Sequence, residues 1–220
     1  MFIGHFALGL AAKKIDSRPS LGTMLLAAQF IDLLWPFFLL FGIESVKIEP
    51  GNTAVTPLNF VHYPWSHSLL AVFIWAIVFG VTYYLFSRNK RGAVLLAMLV
   101  ISHWVLDFLT HRPDLPIGFS DTKMVGLGLW NNKLMTIVVE GCLFVAGSFV
   151  YATTTKAVNK KGNILFWSFF VLLLAIYLMN IFGPPPPDEK TIGYAGLLQW
   201  IFIGWGYWID KNRIQTLKTE

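Results

Sequence analysis

"GAVLLAMLVISHWVLDFLTH", residues 92–111, is the stretch on which the reading of this chain turns. About twenty residues is what a helix needs to cross a hydrocarbon core. The first half holds only apolar side chains and glycine, while the second carries His103, Asp107 and His111. On a helix each step of four residues advances about 40° around the axis, so the three groups share one stripe. A membrane segment has little reason to keep such a stripe unless something binds it.

The rest of the chain agrees with that segment. Of 220 residues, 55% are hydrophobic and 13% charged, with a mean hydropathy of +0.60, the composition of a polytopic membrane protein. Apolar runs near 21–43, 66–87, 92–111, 132–155 and 164–183 are long enough to span, and a shorter sixth near 192–209 is rich in Trp and Tyr. These runs are continuously apolar rather than alternating, which argues against a β-barrel. The opening "MFIGHFALGLAAKK" has no positive charge before its apolar stretch and reads as a retained short helix rather than a signal peptide. The expected fold class is therefore all-α: a polytopic transmembrane helical bundle of about six membrane segments plus a short N-terminal helix. Residues 1–155 form its site-bearing core, and 156–220 form a C-terminal hairpin completing the same bundle. A single cysteine, Cys142, excludes a disulfide framework or a Cys-based metal cluster within the chain.

Basic residues set the expected orientation. Lys13, Lys14, Arg18, Arg88, Lys90, Arg91, Lys156, Lys160, Lys161, Lys211, Arg213 and Lys218 fall on one side if the spans alternate, and Lys47, Arg112, Lys123, Lys133 and Lys190 on the other. Twelve against five places the first side, with the C-terminus, in the cytoplasm. The two long loops, 44–65 and 112–131, then lie outside, as lids or binding elements do. The stiff "GPPPPDEK" at 183–190 is an outer connection without evident chemistry.

Each ionisable group can then be given a depth. His67 starts the second span with Ser66 as its expected N-cap, and His62 lies five residues earlier in the outer loop. Glu140 is about two turns into the fourth span and Asp32 near the middle of the first. His5 sits about 12 Å along a helix from Lys13. A charge at the bilayer centre costs roughly 2.5 to 3.5 kcal/mol on insertion scales, yet no Lys or Arg lies in the spans to pair with Asp32, Asp107 or Glu140. A bound divalent cation would supply the missing charge. Imidazoles and carboxylates without thiolates suit zinc, with manganese or iron as alternatives. Eight potential ligands allow one ion or two, with the surplus supporting from outside. Taken singly each group has an ordinary explanation, such as an interfacial histidine or a protonated, hydrogen-bonded acid; taken together they share one depth range.

At these residues the sequence resembles the YdjM-like family of membrane-bound, predicted metal-dependent hydrolases. The matching elements are Gly4-His5, "FIDLLWP" around Asp32, "HYPWSHSLL" with His62 and His67, and "SHWVLDFLTH", in the same order over roughly residues 1–145. Phe30 and Ile31 precede a single Asp32 where many members show two aspartates, which counts against a second ion more than against metal binding itself. The His-xxx-Asp helix is also distantly similar to the zinc-dependent phospholipase C and P1-nuclease group, which favours phosphate esters as substrates.

These readings converge on a metal-dependent hydrolase in the cytoplasmic membrane with its site open to the outer face. His5, Asp32, His67, His103 and Asp107 are the expected core ligands, joined by His62 and Glu140. Glu140 or Asp32 would act as general base, and His111 and Arg112 would meet the substrate, although Arg112 has a plain alternative partner in Asp114. The expected partners are the membrane and an amphiphilic substrate, a phospholipid or lipid-linked phosphate, and not nucleic acid. The rival is an ion-coupled transporter using the same groups, which broken helices or inverted repeats would favour.

Overall fold

The computed structural model describes residues 1–120 and 123–216. Lys218, one of the twelve basic residues, lies outside the described residues. Among the described residues four helices are long and apolar enough to cross a membrane: α5 (Leu69–Ser87), α6 (Lys90–Thr110), α7 (Lys133–Thr154) and α8 (Lys160–Phe182). A fifth candidate is a bent pair, α2 (Leu21–Ala28) and α3 (Phe30–Leu40), which turn 56° at Gln29. The short helices are α1 (Ile3–Ala12), α4 (Pro64–His67), α9 (Glu189–Leu197) and α10 (Gln199–Lys211). Three two-stranded antiparallel sheets complete the fold: β1 (Ser45–Ile48) with β2 (Leu58–His62), β3 (Leu115–Pro116) with β4 (Met124–Val125), and β5 (Thr155–Ala157) with β6 (Arg213–Gln215).

Two expectations change. The stretch near 192–209 is divided between α9 and α10, each too short to span by itself. The N-cap of the second span is Ser68, whose hydroxyl accepts from Ala71 N–H, while Ser66 sits inside the single-turn α4 and bonds elsewhere. Asparagines do the same capping for three other spans: Asn89 accepts from Gly92 N–H, Asn132 from Met135 N–H and Asn159 from Gly162 N–H.

The short N-terminal helix is central rather than peripheral. Ile3, Phe6, Ala7 and Leu10 of α1 are buried against α7, α2 and α6. A Cβ at Gly147 on α7 would stand 2.3 Å from the Ala7 carbonyl oxygen, so only glycine lets the two backbones approach this closely. Phe6 also shares one apolar cluster with Phe144, Phe169, Leu173 and Phe202, which joins α1 to α8 and α10. In turn α10 packs on α2 and α9 on α3, so two broken segments lie side by side. The outward face of α5 carries Phe73, Ile77, Val81 and Leu85, all exposed, a surface suited to lipid.

The two ends of the bundle differ as the charge count requires. At one end Lys13 Nζ meets the Asp210 carboxylate at 3.0 Å, Arg91 donates to the Ile15 carbonyl, and Arg213 donates to Thr155 and Asn163. Residues 13–18, 88–91, 155–163 and 210–215 are thereby gathered together, and with them most of the twelve basic residues. The 44–65 loop and the described residues of 112–131 occupy the other end, joined by Arg112 to Asn59 at 2.7 Å.

Candidate metal centre

Four elements deliver five ionisable groups to one buried place. α6 supplies His103 and Asp107, one turn apart; α1 supplies His5, α3 supplies Asp32 and α4 supplies His67. The bend at Gln29 is what turns Asp32 inward, in the first turn of α3, where the helix N-terminus favours a carboxylate. Two groups of residues have ligand atoms within 4.8 Å of one another: Asp32, His67 and His103, and His5, His103 and Asp107.

Hydrogen bonds at the far side of two rings fix which nitrogen faces the centre. His103 Nδ1 lies 2.9 Å from the Ala28 carbonyl, which can only accept, so Nδ1 carries the proton. His67 is held by a chain of three: Ser66 Oγ lies 2.6 Å from Glu44 Oε2 and 2.7 Å from His67 Nδ1. The Glu44 carboxylate takes the hydroxyl proton, so the Ser66 oxygen accepts from His67 Nδ1–H. Ser66 N–H also donates to Glu44 Oε1 at 2.8 Å. Burial pushes the Glu44 carboxyl above its ordinary value, and the neighbouring His67 and the two Ser66 donors pull it back towards the ionised form.

Both Nε2 atoms point at carboxylate oxygens. His67 Nε2 lies 3.4 Å from Asp32 Oδ1 and 3.9 Å from Asp107 Oδ2. His103 Nε2 lies 3.6 Å from Asp32 Oδ1 and 3.2 Å from Asp107 Oδ2. It is buried and has no hydrogen-bond partner among the described residues. Positive charge, as an imidazolium proton or a bound cation, is what lets these nitrogens and carboxylate oxygens stand this close. Four ligands at the bond lengths of a tetrahedral zinc ion stand about 3.3 Å apart, which these separations bracket. Asp32, His67 and His103 therefore form one set that fits a cation, and His5, His103 and Asp107 a second that shares His103.

The second carboxylate oxygen of Asp107 has other company. His5 Nε2 is 3.2 Å away, its ring stacked on His103 with centroids 3.6 Å apart, and the α-ammonium of Met1 donates to the same oxygen. That ammonium is a correction to the sequence account, which found no cation for the buried acids by looking only at side chains. It serves Asp107 Oδ1, while Asp107 Oδ2 faces His67 and His103.

The remaining expected residues divide. Glu140 lines the cavity beside the centre and accepts from Phe2 N–H at 2.9 Å, holding the start of α1. His62 lies on β2 opposite Ser45, outside both ligand groups. His111 caps α6 and lines the same cavity; its Nδ1 is 3.0 Å from Asp114 Oδ1, and Trp130 and Phe60 pack on its ring. Arg112 is held by Asp114 Oδ2 and Asn59 Oδ1 and is not among the residues lining the cavity. Glu44 and Ser66 are the residues that sequence reasoning missed. Ser66 stands next to His67 in "WSH", a signal that was read only as a cap, and Glu44 is a loop carboxylate with no periodicity to expose it.

The centre opens into a cavity of about 910 Å³. Asp32, His67, Asp107, His111 and Glu140 line its polar end, residues 50–58 one wall and α8–α10 the other. No family model, curated protein or solved structure compared with this chain matches it.

Proposed function

We propose that this chain is a membrane-embedded, metal-dependent hydrolase of the YdjM-like kind, acting on the ester or phosphoester of an amphiphilic substrate. The observation that carries the reading is the approach of two imidazole Nε2 atoms to two carboxylate oxygens, with N–O separations of 3.2 to 3.9 Å. Asp32, His67 and His103 would hold the ion, with Asp107 beside them, zinc by donor type, with manganese or iron as alternatives. One ion is favoured over two, because His103 has a single nitrogen left to give. A bound ion of this kind acidifies water and polarises an ester or phosphoryl oxygen. Asp32, or Glu140 across the cavity, takes the proton from the attacking water, and His111 meets the substrate at the rim. Basic loops on the cytoplasmic side of the inner membrane would turn the cavity mouth to the outer face. The test is elemental analysis of purified protein, followed by assays on phosphodiester and acyl-ester lipids with and without chelator. The expected result is a stoichiometric metal, lost in His103→Ala, and chelator-sensitive hydrolysis. Wild-type protein that carries no metal and takes up neither zinc nor manganese overturns the reading.

A second reading, an ion-coupled transporter, is favoured by one observation: the α2–α3 break sets Asp32 in the first turn of a half-helix, as at transport sites. Zinc or proton flux in proteoliposomes, abolished by Asp32→Asn and unaccompanied by ester cleavage, would select it.

A further inference from the structure

The C-terminal helices have no part in the metal centre, yet they form the far wall of its cavity. Ile176 on α8 and Leu198, Gln199, Ile201 and Phe202 at the start of α10 line it, and Gly183 to Pro186 stiffen its rim. The cavity therefore has two characters: carboxylates and imidazoles at one end, aliphatic side chains at the other. Met179, Leu198 and Ile201 line the apolar end and remain about 60% exposed, so this wall is continuous with the outer surface of the bundle.

We infer that the α8–α10 wall is an acyl-chain subsite, entered sideways from the bilayer, for a lipid whose head group reaches the metal centre. This rests on the hydrolase reading for its chemistry and adds the site that selects the substrate. The physical case is one of matching. A lipid leaving the bilayer along this path keeps its chain against apolar atoms throughout, so no hydrocarbon is exposed to water. The volume lies in the upper part of the range for small-molecule sites, enough for a head group and part of one chain.

The test uses the full chain in vesicles of phosphatidylethanolamine and phosphatidylglycerol, doped with a phosphatidylglycerol carrying a photoreactive diazirine in one chain. Crosslinked positions are mapped by mass spectrometry. Labels are expected to concentrate on Ile176, Leu198 and Ile201, and to fall about tenfold in Ile201→Trp or, should that variant not fold, Met179→Trp, since one well-packed apolar contact is worth about a factor of ten. Val171→Trp, on the exposed face of α8 away from the cavity, should leave the pattern unchanged. Labels spread evenly over Val171, Phe149 and Ile77, or unaffected by filling the cavity, would overturn the subsite. The readout requires neither metal nor turnover, so His103→Ala should keep the label while losing the ion. A failed hydrolase reading is thereby distinguished from a failed subsite.

Discussion

Ser66 Oγ stands 2.7 Å from His67 Nδ1, and this contact decides which nitrogen of His67 faces the centre. The serine is itself anchored by Glu44, from a loop 22 residues earlier, so a buried acid outside the ligand set governs a ligand. Support of this kind orients the ring and raises the basicity of the metal-binding nitrogen.

Ser66→Ala removes the link while leaving the imidazole in place. Metal affinity should fall about ten- to a hundredfold, the usual cost of losing such a partner, and Glu44→Gln should fall between wild type and Ser66→Ala. Competition titration with a chromogenic chelator measures it. Unchanged affinity in Ser66→Ala would mean that the serine serves only the local turn.

Orientation is tested with single cysteines in a Cys142→Ala background. Ala54 is exposed in the β1–β2 loop, and Val158 is exposed between α7 and α8. Ala54→Cys should react with an impermeant maleimide on intact cells, and Val158→Cys only after lysis. The reverse pattern would invert the assignment of the cavity mouth to the outer face.

At the opposite end of the bundle, Asp16 accepts from Arg18 Nε and Nη2 at 3.0 and 2.9 Å and from Asn89 at 3.2 Å. The Arg18 bonds hold its carboxyl down to about 2, against an ordinary value of 3.8. A folded-state value below the unfolded one stabilises the protein above about pH 4, and that stabilisation is lost as pH falls towards about 2. Thermal unfolding in detergent should therefore show Asp16→Asn less stable than wild type near neutrality, with the gap closing in acid. A gap independent of pH would assign the loss to packing.

Much of this was legible beforehand because it is local. Residues 92–111 carry both their hydropathy and their four-residue spacing in their own side chains, and α6 runs from Lys90 to Thr110 with His103 and Asp107 on one buried face. His62 shows the limit. Five residues from His67 in the sequence, it enters a strand instead of the ligand groups, because the chain between them turns from β2 into α4. Arg112 shows another, since a charge at the right depth was taken by Asp114 and Asn59.

The sequence by itself determined an apolar helical chain with basic residues gathered on alternate connections, and a stripe of imidazole and carboxylate on one helix, since hydropathy and helical period belong to each segment alone. Only the tertiary structure decided that His5 meets Asp107 across 102 residues, that Glu44 governs His67, and that α8–α10 close the cavity. Those meetings depend on how helices cross, which is set where small residues such as Gly147 let backbones touch and where α2 and α3 break. No segment carries that information separately.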